Sequence, residues 1–275
     1  MGRLHASAIE RSGQLTLVGV IDPGDPGWSV PWSRDGLDLL GEVSAQAVIV
    51  AVPPQSHFEV ANACLEAGCH VLLEKPICPQ GSRARELSRR FREAGRVLFG
   101  GHSERFHPVF RAFSDRLAEV GEVRSIRCER VGPAPEKTPV GGALLDLGIH
   151  DLDLLERLWG AAVWDRARCW GPQGVVAEGS TASGIGVELR CGYAPSRRRQ
   201  WFVETSHALW SLDFAEVLLE FREGDQARRV PLPLGDPLEL EHAAFLDACL
   251  GNGQGEDLES QLSAVEQVER IATLL

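Results

Sequence analysis

Between residues 15 and 101 the chain alternates short apolar runs with stretches of helical spacing, and this alternation restricts the fold more than any other feature. Leu15 to Asp22, Ala47 to Pro53, His70 to Glu74 and Arg96 to Gly101 read as strands. Phe58 to Glu66 and Gly81 to Ala94 read as helices with polar outer faces. Units of this kind require right-handed crossovers and a parallel sheet covered on both faces. The expectation is a doubly wound α/β sheet.

From Phe106 onward the texture changes. A helix from Pro108 to Glu119 leads through Gly121 into a strand, Val123 to Val131; a Pro-rich segment (Pro133, Pro135, Pro139) then precedes a helix over roughly Leu145 to Trp159. After Gly160 come Trp164 to Trp170, Val175 to Gly179, Gly184 to Tyr193, Gln200 to Glu204, Ala208 to Phe214 and Val217 to Glu223, separated by Gly-rich turns. This spacing predicts a large, mainly antiparallel sheet in a mixed α/β domain. Helices over Leu238 to Leu250 and Glu259 to Leu275 close the sequence. The division falls into domains 1–104 and 105–275, with the C-terminal helices expected to pack back on the first.

A length of 275 residues fits two domains, and 44% hydrophobic with 24% charged residues is ordinary for a soluble globular protein. A net charge of −11, from 28 basic and 39 acidic residues, argues against nucleic-acid or anionic-membrane partners. Arg197-Arg198-Arg199 is a short basic cluster that suits a solvated turn. Seven cysteines without CxxC pairs suit reduced thiols rather than zinc ligands or disulfides, which points to the cytoplasm. No signal peptide is expected ahead of the fold, and no apolar stretch approaches the roughly eighteen residues of a membrane helix.

Lys75 ends the run His70-Val71-Leu72-Leu73 inside Glu74-Lys75-Pro76. Ligands bind beyond the carboxyl ends of strands in open α/β sheets, so Glu74 and Lys75 stand where chemistry would be placed. A solvated charge pair explains the tripeptide equally well on its own. A second cluster lies in the run from Gly141 to Asp153. On a regular helix Asp146, His150 and Asp153 share one face, opposite Leu145, Leu152, Leu155 and Trp159. A carboxylate one turn from an imidazole can fix its tautomer and raise its basicity. Gly148 inside this helix costs about 1 kcal/mol relative to Ala, so something is expected to approach its backbone closely. Helix capping by Asp146 is the structural alternative. A metal site built from the three is weaker, because one turn supplies too few zinc-type ligands.

At the N-terminus Gly2-Arg3-Leu4-His5 runs into a helix, Ala6 to Arg11, and then the strand ending at Asp22. The last glycine of a dinucleotide-binding loop opens a helix, and an acid about twenty residues later binds the ribose hydroxyls. Gly2 and Asp22 have that interval, and an acid there repels a 2′-phosphate, favouring NAD over NADP.

Gly2-Arg3-Leu4-His5, Val50-Ala51-Val52-Pro53-Pro54-Gln55-Ser56-His57, Glu74-Lys75-Pro76, Arg105-Phe106 and the Asp146, His150, Asp153 spacing together resemble the Gfo/Idh/MocA oxidoreductase family over almost the whole chain. Gly101 to Phe106 and Glu129 to Pro133 most resemble its branch that contains UDP-N-acetylglucosamine 3-dehydrogenase. The resemblance implies a Rossmann domain, then an α/β domain whose sheet forms one wall of the substrate site and often an oligomer interface. It implies an NAD-dependent dehydrogenase acting on a hydroxyl of a sugar, nucleotide-sugar or cyclitol, and a homodimer or homotetramer. Lys75 would hydrogen-bond the reacting oxygen, His150 would take the alcohol proton, and Asp146 would orient the sugar. Gly2, Arg3, Asp22, Pro53, His57 and Glu74 would line the cofactor, and Arg105 and Asp153 would lie toward the substrate. No metal is implied.

Relative to that family, the chain starts at the fifth position of the glycine-rich loop, giving an N-terminally truncated Rossmann sheet. The lacking strand is the central one, so Leu15–Asp22 and Ala47–Pro53 are expected to have no shared neighbour. The favoured explanation is that Met1, the sole methionine, is internal to a longer chain. The other is a shortened paralogue, a non-catalytic sugar-binding or regulatory protein that has lost tight dinucleotide binding.

Overall fold

The computed structural model describes residues 1–136, 139–171, 173–252 and 258–275; residues 137 and 138 of the Pro-rich segment lie outside them. In chain order the elements are α1 (Gly2–Ser12), β1 (Val20–Ile21), β2 (Trp32–Ser33), α2 (Leu39–Glu42), β3 (Ala47–Val50), α3 (His57–Glu66), β4 (His70–Glu74), α4 (Gly81–Glu93), β5 (Leu98–Gly101), α5 (Pro108–Ser114), α6 (Leu117–Val120) and β6 (Val123–Gly132). There follow α7 (Ile149–Trp159), β7 (Ala162–Trp170), β8 (Gly174–Thr181), β9 (Gly186–Tyr193), β10 (Arg198–Thr205), β11 (Leu209–Asp213), β12 (Leu218–Glu223), β13 (Gln226–Arg229), α8 (Pro237–Cys249) and α9 (Leu258–Ala272). Two compact units result: Met1–Cys78 with Ser82–Gly101 and Leu238–Leu258, and Pro79–Gly81 with His102–Pro237 and Glu259–Leu275.

In the first unit β3, β4 and β5 form a parallel sheet with β4 central. Val71, Leu72 and Leu73 have no exposed surface, as an unbroken aliphatic run in a covered parallel strand requires. The segment Leu15 to Asp22 is a strand only at β1. Val20 N–H donates to Pro31 O at 2.9 Å and Asp22 N–H to Ser33 O at 3.1 Å, so β1 pairs with β2 in a sheet separate from β3-β4-β5. No strand joins β1 to β3 among the described residues, and without that neighbour residues 15–19 enter no ladder. Within the unit α8 packs Phe245 on Phe99, with ring centroids 5.6 Å apart.

The second unit is built on an eight-stranded sheet in the order β13-β12-β11-β10-β6-β9-β8-β7, antiparallel except for the parallel pair β6 and β9. Ile126, Cys128, Leu189, Cys191, Trp201, Val203 and Leu212 alternate onto its covered face. They pack with Phe110 and Phe113 of α5 and Val265 and Val268 of α9 in one core. Phe110 meets Trp201, and Phe113 meets Trp210, edge to face at 6.5 and 5.6 Å.

Two helices differ from the spacing. The stretch Pro108 to Glu119 breaks into α5 and α6, because Arg116 leaves helical geometry (φ −105°, ψ 9°) and its guanidinium caps Ala112 O at 3.0 Å. The helix expected from Leu145 is instead a π-helical turn over Leu144–Gly148 that runs into α7. The exposed strand β13 has no apolar alternation by which to recognise it.

Candidate active site

Lys75 follows β4 and is half-buried, as a residue beyond a strand's carboxyl end should be. The Lys75–Pro76 peptide is cis. Glu74 is turned inward, only 6% exposed. Its Oε1 lies 2.8 Å from His5 Nε2, and its Oε2 accepts the Lys75 backbone N–H at 3.2 Å. His5 Nδ1 lies 2.9 Å from His242 Nε2 on α8.

Other candidates in this unit fall into two groups. Gly2 and Arg3 open α1 in exposed positions, and Asp22 is exposed just beyond β1, where its Oδ1 accepts the Gly24 N–H at 2.9 Å. Pro53 is exposed ahead of the 3-10 turn Pro54–Ser56 that leads into α3. His57, by contrast, is buried, with Nδ1 2.7 Å from Pro76 O and Nε2 2.9 Å from Val52 O. The ring thereby ties the loop after β3 to the loop after β4, as Glu74 supports the latter from beneath.

In the second unit the π-helical turn changes the geometry expected of Asp146, His150 and Asp153. The wider turn lies ahead of His150 and Asp153, which remain one turn apart on α7 and both meet His102, while Asp146 lies within the π-helical turn itself. Asp146 is half-buried and its Oδ2 accepts the Tyr193 hydroxyl of β9 at 3.1 Å. Burial first, and then the Asp146 charge, push the Tyr193 phenol up. His150 is half-buried, its ring edge-on to His102 at 6.4 Å. Asp153 is fully buried and faces Arg105, whose Nε and Nη2 donate to it, while His102 Nδ1 lies 3.2 Å from its Oδ2. Arg105 Nη2 also reaches Ser260 Oγ. Burial alone would raise the Asp153 carboxyl; Arg105 and His102 outweigh it and hold the group well below the usual carboxylate range.

Asp151 was not singled out by the sequence, yet it is the matching anchor on α7. Arg130 of β6 donates to it from Nε at 2.9 Å and Nη2 at 3.0 Å, and Trp201 Nε1 donates at 2.8 Å. Glu104 bridges Arg130 at 3.3 Å and Arg199 at 2.7 Å. Burial opposes its ionisation, and the two guanidinium groups keep it below the usual range nonetheless. Glu104 and Arg130 lie in sequence segments already conspicuous as motifs; Tyr193 and His242 carry no local signal. What approaches Gly148 is Cys191: a Cβ there would stand 3.1 Å from its Sγ. The close approach inferred from the glycine is a core contact with β9.

A profile described as an oxidoreductase family with an NAD-binding Rossmann fold matches residues 1–102. The UDP-N-acetylglucosamine 3-dehydrogenase of Acidithiobacillus ferrooxidans is 37% identical over 234 residues, which is 76% of this chain and 71% of that protein. The chain belongs to the Gfo/Idh/MocA oxidoreductase family. The solved structure of that dehydrogenase superposes with a TM-score of 0.87 at 25% identity, covering 100% of this chain and 94% of the other. The scyllo-inositol 2-dehydrogenase (NAD(+)) of Bacillus subtilis is 27% identical over 48% of this chain and 40% of its own length. A 3-ketoreductase of Actinomadura kijaniata, solved with TDP-benzene and NADP, shares the fold at a TM-score of 0.85 and 24% identity, over 98% of this chain and 92% of that one. As a Gfo/Idh/MocA member the chain is an oxidoreductase with an NAD(P)-binding Rossmann fold.

Proposed function

We propose that the protein oxidises a secondary hydroxyl of a nucleotide-sugar, sugar or cyclitol with NAD as hydride acceptor. The observation that carries this reading is the contrast along α7 and the turn before it. Asp151 and Asp153 are locked by buried arginines, while Asp146 and His150 stay half-buried. Two ionisable groups thus emerge from a helix whose own orientation is fixed, which is the pre-organisation acid-base chemistry needs.

In this reading His150 takes the alcohol proton, the Lys75 ammonium hydrogen-bonds the reacting oxygen, and Asp146 orients the sugar with Tyr193 holding its carboxylate. Arg105 and Asp153 engage each other, so their part is to fix α7 rather than to touch substrate. The first unit's residues fit a dinucleotide. The start of α1 at Gly2 and Arg3 offers N–H groups without intrahelical partners, suited to a pyrophosphate, and Asp22, which is exposed, would accept from ribose hydroxyls. Pro53 borders that surface, while His57 and Glu74 brace the loops that carry it. NAD bound there supplies the hydride acceptor. The Asp22 charge favours NAD over NADP.

The kinship with UDP-N-acetylglucosamine 3-dehydrogenase makes a UDP-sugar the first substrate to try. We place the enzyme in the cytoplasm: its cysteines are free, and among the described residues no helix is long and apolar enough to cross a membrane. A homodimer or homotetramer would form through the uncovered face of the eight-stranded sheet. Phe202 and Trp170 carry Arg127 and Arg190 over their rings at 4.7 and 4.0 Å, and Phe202 alternates with buried Trp201. The test is a screen of nucleotide-sugars, free sugars and inositols with NAD or NADP, followed by reduced-nicotinamide absorbance. Sugar binding in a calorimeter without any reduction of either dinucleotide would favour a non-catalytic paralogue.

A further inference from the structure

The proposed chemistry uses neither His5 nor His242, yet both rings are buried, 2% and 0% exposed, in a continuous polar chain that ends at Glu74. A carboxylate taken out of water is costly unless donors satisfy it. Glu74 has two: the Lys75 backbone N–H on Oε2 and His5 on Oε1. An ionised carboxylate only accepts, so His5 Nε2 carries a hydrogen. In the neutral tautomer its Nδ1 then accepts, which makes His242 Nε2 the donor across 2.9 Å; these tautomers follow from the network. The two rings also stack, with centroids 5.2 Å apart and planes 29° from parallel, so neither can swing without losing both contacts. One turn upstream of His242, Glu239 accepts from Arg11 Nε at 2.9 Å, fastening α8 to α1 beside the two rings.

We propose that His5 and His242 are positioning residues for Lys75, acting through the carboxylate of Glu74. With Oε1 fixed by His5, the carboxylate cannot rotate, and Oε2 holds the amide from which the Lys75 side chain departs. Geometry at the root of the reactive ammonium is thereby set by a helix near the other end of the chain. An apolar trio of similar volume would fill this interior at similar stability, so the polar chain is explained by the geometry it imposes at Lys75. The inference rests on the catalytic role given to Lys75, and its test separates the two.

Lys75 and Lys137 are the only lysines in the sequence. In a Lys137→Arg background, reductive methylation with carbon-13 formaldehyde leaves Lys75 and the terminal amine as the labelled groups, and the Lys75 resonance reports its surroundings whether or not the protein is active. His242→Gln keeps an N–H at the Nε2 position; His242→Asn and His242→Phe do not. The expected result is a displaced Lys75 resonance at fixed pH in the Asn and Phe variants, with kcat about tenfold lower or more, and return of both toward wild type in the Gln variant. His242→Asn serves if the Phe variant does not fold. An unmoved resonance in His242→Asn overturns the proposal, whatever happens to melting temperature. A moved resonance in a protein with no dehydrogenase activity supports the positioning role and removes the catalytic reading instead.

Discussion

Arg105 and Asp153 form a two-pronged ion pair inside the second unit, Nε to Oδ2 at 2.8 Å and Nη2 to Oδ1 at 2.5 Å, with both side chains nearly inaccessible to water. Breaking such a pair strands a buried charge, whereas removing both members need not. Arg105→Leu should cost about 3–5 kcal/mol in chemical denaturation, and the double change Arg105→Leu with Asp153→Leu distinctly less. Equal losses in the two proteins would show that the pair is not coupled.

Acid should unfold this protein through the same groups. Asp153 and Glu104 are both held below their ordinary range in the folded state, burial notwithstanding, by the arginines beside them. A carboxyl with a depressed folded value contributes stability that is present above its unfolded value, about pH 4, and lost as pH falls through the folded one. Melting temperature should therefore drop steeply below about pH 4, and less steeply in the Arg105, Asp153 double variant.

Tyr193 is the sole tyrosine, so its phenolate absorbance can be followed without interference from another. Burial and then the Asp146 carboxylate raise its phenol above the ordinary value. The group stays neutral in the folded state past the pH at which the unfolded chain would ionise, so stability should decline above about pH 10. Asp146→Asn should bring the phenolate transition to lower pH. Tyr193→Phe, which removes one hydroxyl donor from the Asp146 carboxylate, should lower kcat/KM about tenfold if Asp146 orients the sugar as proposed.

Gly148 tests how closely the turn ahead of α7 is packed. A Cβ there would lie 3.1 Å from both Cys191 Sγ and Leu144 Cδ1. Gly148→Val should destabilise by about 1–3 kcal/mol, and Cys191→Ala in the same chain should recover part of the loss.

In the proposed reading, cofactor choice rests on Asp22. Replacing it with Asn removes the charge that would repel a 2′-phosphate, and the ratio of kcat/KM for NADP to that for NAD should rise about tenfold. An unchanged ratio would place the discrimination elsewhere.

Legibility in the sequence followed the range of the interactions. The run His70 to Glu74 announced β4 because a central parallel strand buries its aliphatic run, and the strands and Gly-rich turns after Gly160 announced a large, mainly antiparallel sheet. The strand expected over Leu15 to Asp22 shrank to β1, and its pairing with β2 was not foreseen, because the apolar run shows a strand but not which neighbour it will find. The π-helical turn was not legible: nothing in Leu144 to Gly148 departs from α-helical spacing. Nor was the parallel pairing of β6 with β9, which joins strands far apart in the chain. Lys75 became a candidate because an ammonium after an apolar run demands a reason. His5 stood inside a quoted motif, but its contacts with His242 and Glu74 were hidden, because they join residues far apart in the chain.

Nicotinamide reduction by the Lys75→Ala and His150→Ala variants, measured with the best substrate from the nucleotide-sugar screen, bears most directly on the proposed function. Each substitution should lower kcat by about a hundredfold or more while the folded protein and its affinity for NAD persist. Full turnover by both variants would contradict the assignment.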